Sequence, residues 1–263
     1  MGGMYAPQRQ DAIADDIAAH GGMSVTELAT RHGVSAETIR RDLDVLVRQQ
    51  RLSRVHGGAV PLRPHSREEN PVAVRSSTGL EAKARIARAA ADHLPATGGS
   101  VIVDSGTTTA ALAGALLERP DLTVVTNSVL LGHQLSAHPP DGGGPALRML
   151  GGRVRSITQS VVGSDAVGVL RTLRADVAFL GTNGISSDFG FSTPDPAEAQ
   201  TKAAMVRAAR TRVVLADASK LGEELLCSFA TAEDVDLLIT DAPVLSTPVL
   251  HDLRHQGMDV IQA

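Results

Sequence analysis

The chain has 263 residues, 43% of them hydrophobic, and a formal net charge of −4, enough apolar material for one large or two ordinary domains. With no Trp, one Tyr and four Phe it lacks the aromatic platform on which single-stranded bases stack. Its single cysteine, Cys227, excludes an intrachain disulfide or a thiolate metal cluster. No apolar run approaches the roughly 20 residues of a membrane helix and the start has no signal-peptide layout, so a cytoplasmic protein without membrane contact is expected.

The first 7 residues carry no pattern. A helix is predicted over 8–19, with Ile13 and Ile17 inward and Gly21-Gly22 ending it. Ser24-Val25-Thr26-Glu27 fits a capping box. A short helix follows with Leu28 and Ala29 inward, and Gly33 closes it in the left-handed conformation that glycine tolerates. Ser35 caps a second helix in which Ile39, Leu43, Leu46 and Val47 form one apolar stripe. The opposite face shows Glu37, Thr38, Arg40, Arg41 and Asp44. Two short helices around a glycine turn, the second opening with arginines and small polar groups, is the layout in which the second helix reads base edges in the major groove. On Arg40 and Arg41 alone, a solvated face is an equal reading. Residues 51–60 then alternate and break at Gly57-Gly58, a small basic hairpin placed as a wing. Between Ala36 and Arg63 the net charge is +3 in a chain of −4, the footprint expected for double-stranded DNA. Residues 1–61 are therefore read as a winged helix-turn-helix, and 62–79, polar and with two prolines, as a linker.

VSAETIRRDLDVL followed by RLSRVHGGAV resembles the signature of the DeoR-type family of bacterial repressors, with the R-R-D-L core and the H-G-G-A wing tip in order. The resemblance implies operator contacts from Ser35, Thr38, Arg40 and Arg41, with Thr26, Ala36 and Glu37 beside them. Arg54, His56 and Gly57 would make the wing contact.

From residue 80 the pattern changes to short β-branched runs alternating with helices, which predicts an α/β domain over 80–263 with a mostly parallel sheet. Ligands of such sheets sit at the carboxyl ends of strands. Asp104-Ser105-Gly106-Thr107-Thr108-Thr109 closes one strand and opens a helix, with free N–H groups and hydroxyls suited to an anion; ordinary N-capping is the plainer alternative. Asn127 and Ser128 follow the next strand, Gly181, Asn183 and Gly184 another, and Lys220 a further one. Against 22 arginines the chain keeps three lysines, Lys83, Lys202 and Lys220, so each has a raised chance of a specific task. Glu198 and Lys202 also fit a surface i, i+4 pair. Taken together, these strand ends predict a pocket for a phosphorylated small molecule.

DSGTTT, VVTNS, FLGTNGIS, EAQTK and LADASK continue the resemblance through the DeoR-type sensor domain. That domain is similar in fold to ribose-5-phosphate isomerase and glucosamine-6-phosphate deaminase. The resemblance implies a repressor whose DNA affinity is controlled by a phosphorylated sugar. GFSTPDPAEAQTK looks most like fructose-operon repressors, which suggests fructose 1-phosphate. Operator repeats imply a homo-oligomer, dimer or tetramer. The alternative is a sugar-phosphate isomerase or deaminase carrying a DNA-binding module. Where the isomerase has a glutamate before the helix lysine this chain has Thr201, and its acidic pair is replaced by GTNGIS; neither Thr nor Asn abstracts a carbon-bound proton. No enzyme activity, cofactor or metal is expected.

Overall fold

The computed structural model describes residues 5–20, 22–49, 51–55, 57–61, 69–244 and 247–263, in two compact units, Met1–Arg67 and Glu68–Ala263.

The first unit runs α1 (Ala6–His20), β1 (Met23–Ser24), α2 (Val25–His32), α3 (Ala36–Arg48), β2 (Leu52–Val55) and β3 (Gly58–Pro61). The capping box forms as expected: the Ser24 hydroxyl accepts from the Glu27 N–H at 3.2 Å, and the Glu27 carboxylate accepts from the Ser24 N–H at 2.8 Å. Gly33 ends α2 at φ 64°, and the Ser35 hydroxyl caps α3 through the Thr38 N–H. Ile13, Ile17, Leu28, Ile39, Leu43, Leu46 and Leu52 make the core. The hairpin β2–β3 gains a third strand, because β1 pairs antiparallel with β3. Sequence reading did not separate this two-residue strand from the cap, since it is too short to show a period. Gly58 is required there: a Cβ on it would lie 2.3 Å from the Met23 carbonyl oxygen.

The second unit starts inside the segment read as linker. Residues 62–68 lie outside the described residues, but α4 (Val72–Ser76) follows, with Val72 buried and its N–H donating to the Ile157 carbonyl at 2.8 Å. One buried valine between prolines and charges gives no periodic signal. Next come α5 (Leu80–Ala91), β4 (Ser100–Val103), α6 (Thr107–Ala110), α7 (Ala113–Leu117), β5 (Thr123–Thr126), α8 (Val129–Ser136) and β6 (Ala146–Met149). After these lie β7 (Arg153–Arg155), β8 (Ser160–Val162), α9 (Ser164–Leu170), β9 (Ala175–Gly181), β10 (Gly184–Ser186), β11 (Gly190–Thr193) and α10 (Pro196–Arg207). The chain closes with β12 (Ala209–Ala216), β13 (Cys227–Ala230), β14 (Leu237–Thr240), α11 (Pro248–His255) and β15 (Asp259–Gln262).

Seven strands form a wholly parallel sheet in the order β15-β14-β12-β9-β4-β5-β6. One face packs Ile86, Val101, Val103, Leu112 and Phe179, the other Ile102, Leu170, Leu180, Met205 and Leu253. The order winds outward in both directions from β4 and β9, which opens a crevice at the carboxyl ends of that pair. Asp104 and Gly181 stand at its mouth. The stretch between β9 and α10 holds β10 and β11, which join β13 in a small antiparallel sheet. The glycine-punctuated stretch before β9 holds the hairpin β7–β8 and α9.

Candidate DNA interface and effector site

The α3 stripe turns inward, which puts Arg40 and Arg41 on the solvent face, both paired with Glu37 at 3.5 Å. Thr26, Ser35 and Glu37 are exposed and Ala36 and Thr38 half-buried on the same side of the turn. Arg54 on β2 reaches Asp44 at 3.3 Å and so fixes the wing to α3. Gly57, at φ 79°, makes the wing turn, and its carbonyl accepts from the Val25 N–H at 2.8 Å. His56 lies outside the described residues. Asp42, which counts against the basic charge in the sequence, does not face outward. It is buried and bound by Arg9 at 2.6 Å and Gln10 at 2.9 Å. The acidic member of R-R-D-L therefore ties α3 to α1, and the exposed face is more basic than the raw count.

In the second unit three of the expected residues meet directly. The Lys202 ammonium pairs with Asp104 Oδ2 and donates to the Gly181 carbonyl at 3.0 Å, while the Gly181 N–H donates to the same Asp104 oxygen at 3.0 Å. Asp104 and Lys202 are 1% and 4% exposed, so the surface i, i+4 pair with Glu198 does not form. Burial raises the Asp104 carboxyl above its ordinary range, against the pull of Lys202. Asp104 Oδ1 is buried without a hydrogen-bond partner among the described residues. Glu198 is equally buried; its Oε1 accepts from the Thr158 and Ser160 hydroxyls at 2.5 and 2.8 Å, and Oε2 from Thr193 at 3.3 Å. Thr193 also donates to Asn183 Oδ1 at 3.1 Å, which brings Asn183 beside Glu198.

Other expected residues are spent on the framework. The Asn127 amide accepts from the Ser105 N–H at 2.8 Å and donates to the Val161 carbonyl at 3.1 Å. The Ser128 hydroxyl caps α8. The Thr109 hydroxyl donates to the Asp104 and Gly106 carbonyls, and Thr108 is buried. Gly106 is extended at φ 169°, not a tight turn. A Cβ on Gly184 would lie 2.3 Å from the Glu223 carbonyl oxygen, so that glycine serves strand packing.

Thr107 is half-buried and, with Ser76 and Lys83, lines a groove of about 1050 Å³ floored by alanines of α5 and α6. Lys83 is 7% exposed; its ammonium donates to the carbonyls of Arg75 and Thr78, the latter at 2.6 Å. Burial pushes its pKa down, with Asp217 opposing and Lys220 and Arg75 adding to the shift. Lys220 is half-buried; its N–H donates to the Asp217 carbonyl at 3.1 Å, and its ammonium has no hydrogen bond or ion pair among the described residues. Arg75 Nε is buried and unpartnered. Lys83, which shares the groove with Thr107, thus lies near enough to Arg75 and Lys220 to feel both charges. Sequence reading singled out both lysines but missed Arg75, hidden in the linker, and Arg155. The signal for Arg155 was the alternation on either side of residues 156–159.

His251 and His255 stand four residues apart on exposed α11, with their Nε2 atoms 3.1 Å apart. Among the described residues no group of three or more His, Cys, Asp or Glu could hold a metal ion.

Residues 9–64 match the DeoR-like helix-turn-helix domain and residues 78–242 the DeoR C terminal sensor domain. The chain belongs to the DeoR family of transcriptional regulators. It is 36% identical over 248 residues to the HTH-type transcriptional regulator FruR of Bacillus subtilis, covering 92% of this chain and 94% of that one. It is 33% identical over 240 residues to the glycerol-3-phosphate regulon repressor of Escherichia coli, covering 91% and 92%. Among solved structures, ribose 5-phosphate isomerase from Plasmodium falciparum overlaps 56% of this chain and 52% of its own at 16% identity and a TM-score of 0.36. No described helix is long and apolar enough to cross a membrane.

Proposed function

We propose that this DeoR-family regulator represses a sugar-catabolism operon, and that a phosphorylated sugar bound by the second unit sets its affinity for double-stranded operator DNA. The observation that carries the effector half is that Lys83, with the charges of Arg75 and Lys220 near it, shares a groove with Thr107, while Asp104 at the end of β4 pairs with Lys202 of α10, which also carries Glu198. Cations beside a hydroxyl suit a phosphate. A buried carboxylate with an unused oxygen, as Asp104 has in Oδ1, suits sugar hydroxyls, which donate. Ser105, Gly106, Thr107, Thr108, Thr109, Asn127, Ser128, Gly181, Asn183, Gly184 and Lys220 complete the proposed site. The DNA half uses Thr26, Ser35, Ala36, Glu37, Thr38, Arg40 and Arg41 with the wing at Arg54, His56 and Gly57.

One relative is named for a glycerol-3-phosphate regulon; from the likeness of GFSTPDPAEAQTK to fructose-operon repressors, fructose 1-phosphate is the effector we favour. Release of DNA by the effector, a homodimer or tetramer, and a cytoplasmic location complete the reading. An isomerase is disfavoured by the residues that stand where its base would. The Thr201 hydroxyl donates to the Ala197 carbonyl and Asn183 accepts from Thr193, and neither group takes a carbon-bound proton.

The test is thermal unfolding against sugar phosphates and their parent sugars. A native-state ligand at 100-fold over its Kd adds about 2.7 kcal/mol. One phosphate ester should raise the midpoint while its parent sugar does not. A panel without any shift would remove the effector half.

A further inference from the structure

The segment that leads from residues 62–68 into the second unit is held at its start by one charged side chain. Glu69 Oε2 lies 2.5 Å from Arg155 Nη1, and both side chains are largely buried, at 7% and 18% exposed. The same guanidinium reaches Asp195 at 3.1 Å and Glu198 at 3.6 Å. One cation therefore serves three carboxylates, and their other partners differ sharply. Asp195 accepts the N–H groups of Ala197 and Glu198 as the cap of α10. Glu198 accepts three hydroxyls. Apart from Arg155, neither oxygen of Glu69 has a partner among the described residues. Burial and then the Glu198 charge hold its carboxyl above the usual range, with Arg155 and, behind it, Arg75 opposing. Glu69 is the one of the three that depends on Arg155 alone, so it is left without a partner if the charges at the start of α10 draw the guanidinium away.

We propose that Arg155 and Glu69 form a clasp that couples the α10 start, where Glu198 and Lys202 stand, to the strap of residues 69–78 that tethers the DNA-binding unit. The proposal rests on the effector reading in one respect: a ligand that re-partners Glu198 or brings an anion to Arg155 opens the clasp. Arg155 is a positioning residue here and touches neither DNA nor base. With the clasp closed, Val72 stays bonded to Ile157 and the tether begins from a fixed point. With it open, the tether lengthens. A longer tether lowers the effective concentration with which a second winged helix finds its half-site.

The test needs no effector. Full-length wild-type protein, Glu69→Gln and Arg155→Gln, and the double variant are compared by hydrogen exchange over 70–78. The same proteins are compared by affinity for a duplex that the wild type selects from a randomised library. Both single variants should speed strap exchange about tenfold and weaken DNA binding about tenfold. If the clasp is the operative link, the double variant should lose little beyond Arg155→Gln alone, because coupled partners are non-additive. Unchanged strap exchange in Glu69→Gln would overturn the clasp. A strap that opens while DNA affinity stays within about twofold of wild type would overturn the coupling. A flat sugar-phosphate panel would remove the effector reading and leave this comparison standing.

Discussion

Arg41 leaves 79% of its side chain in solvent and holds Glu37 only at 3.5 Å. An exposed pair of that kind contributes little, so the guanidinium is free to re-partner with a base edge. Arg41→Ala should keep the unfolding midpoint and lose about 1–3 kcal/mol of discrimination between the selected duplex and a scrambled one. Equal discrimination, read by competition binding, would remove Arg41 from the reading face. Lys202 is the opposite case. Lys202→Met strands the buried Asp104 charge and should lower stability by about 3–5 kcal/mol in urea unfolding. A loss below about 1 kcal/mol would mean that the pair is not closed in solution. Glu69 adds a pH dependence. Its folded pKa is raised, so the native state holds that proton more tightly than the unfolded chain. The stabilisation this gives is complete below the unfolded value and is lost as the pH climbs through the raised one. Glu69→Gln should flatten that part of the urea-midpoint profile above the ordinary carboxylate range of about pH 4, whereas an unaltered slope would assign it to another carboxylate.

At the scale of elements, the wing depends on a close approach that tolerates no side chain. A Cβ at Gly58 meets the Met23 carbonyl, so Gly58→Val should break the β1–β3 pairing and lower the thermal midpoint of the first unit by several degrees, roughly 1–3 kcal/mol. An unchanged midpoint by circular dichroism would show that β1 is dispensable. The helices of this unit were legible from their chemistry. Ser24, Glu27, Gly33 and Ser35 each have one strong local role, and the α3 stripe runs over more than two turns. The parallel strands were equally legible, because runs such as SVIV and VAFLG are buried on both faces. What stayed hidden depends on contacts far apart in the chain. β10, β11 and β13 are three- and four-residue strands whose partners lie up to about forty residues away, and α4 rests on one buried valine. The candidate site divides in the same way. Asp104 and Gly181 were legible as strand ends and Glu198 and Lys202 as neighbours on a helix, but the pairing between the two sets was not. Glu198 with Lys202 is the natural local guess, and the fold gives Lys202 to Asp104, 98 residues away.

At the scale of the whole molecule, the two units carry two kinds of chemistry on one chain. The first offers exposed arginines on a short capped helix. The second buries lysines and carboxylates at the carboxyl edge of a parallel sheet. A ligand that weakens DNA binding must itself be held more weakly by the DNA-bound form, and by the same factor. The most direct measurement is the affinity of the full-length protein for its selected duplex, by fluorescence anisotropy at fixed salt, with and without saturating fructose 1-phosphate, other sugar phosphates, and fructose. The account predicts that one phosphate ester weakens binding at least about tenfold, a coupling of about 1.4 kcal/mol, while fructose leaves it unchanged. Affinity that no phosphate ester alters would contradict it and leave the second unit as an assembly domain.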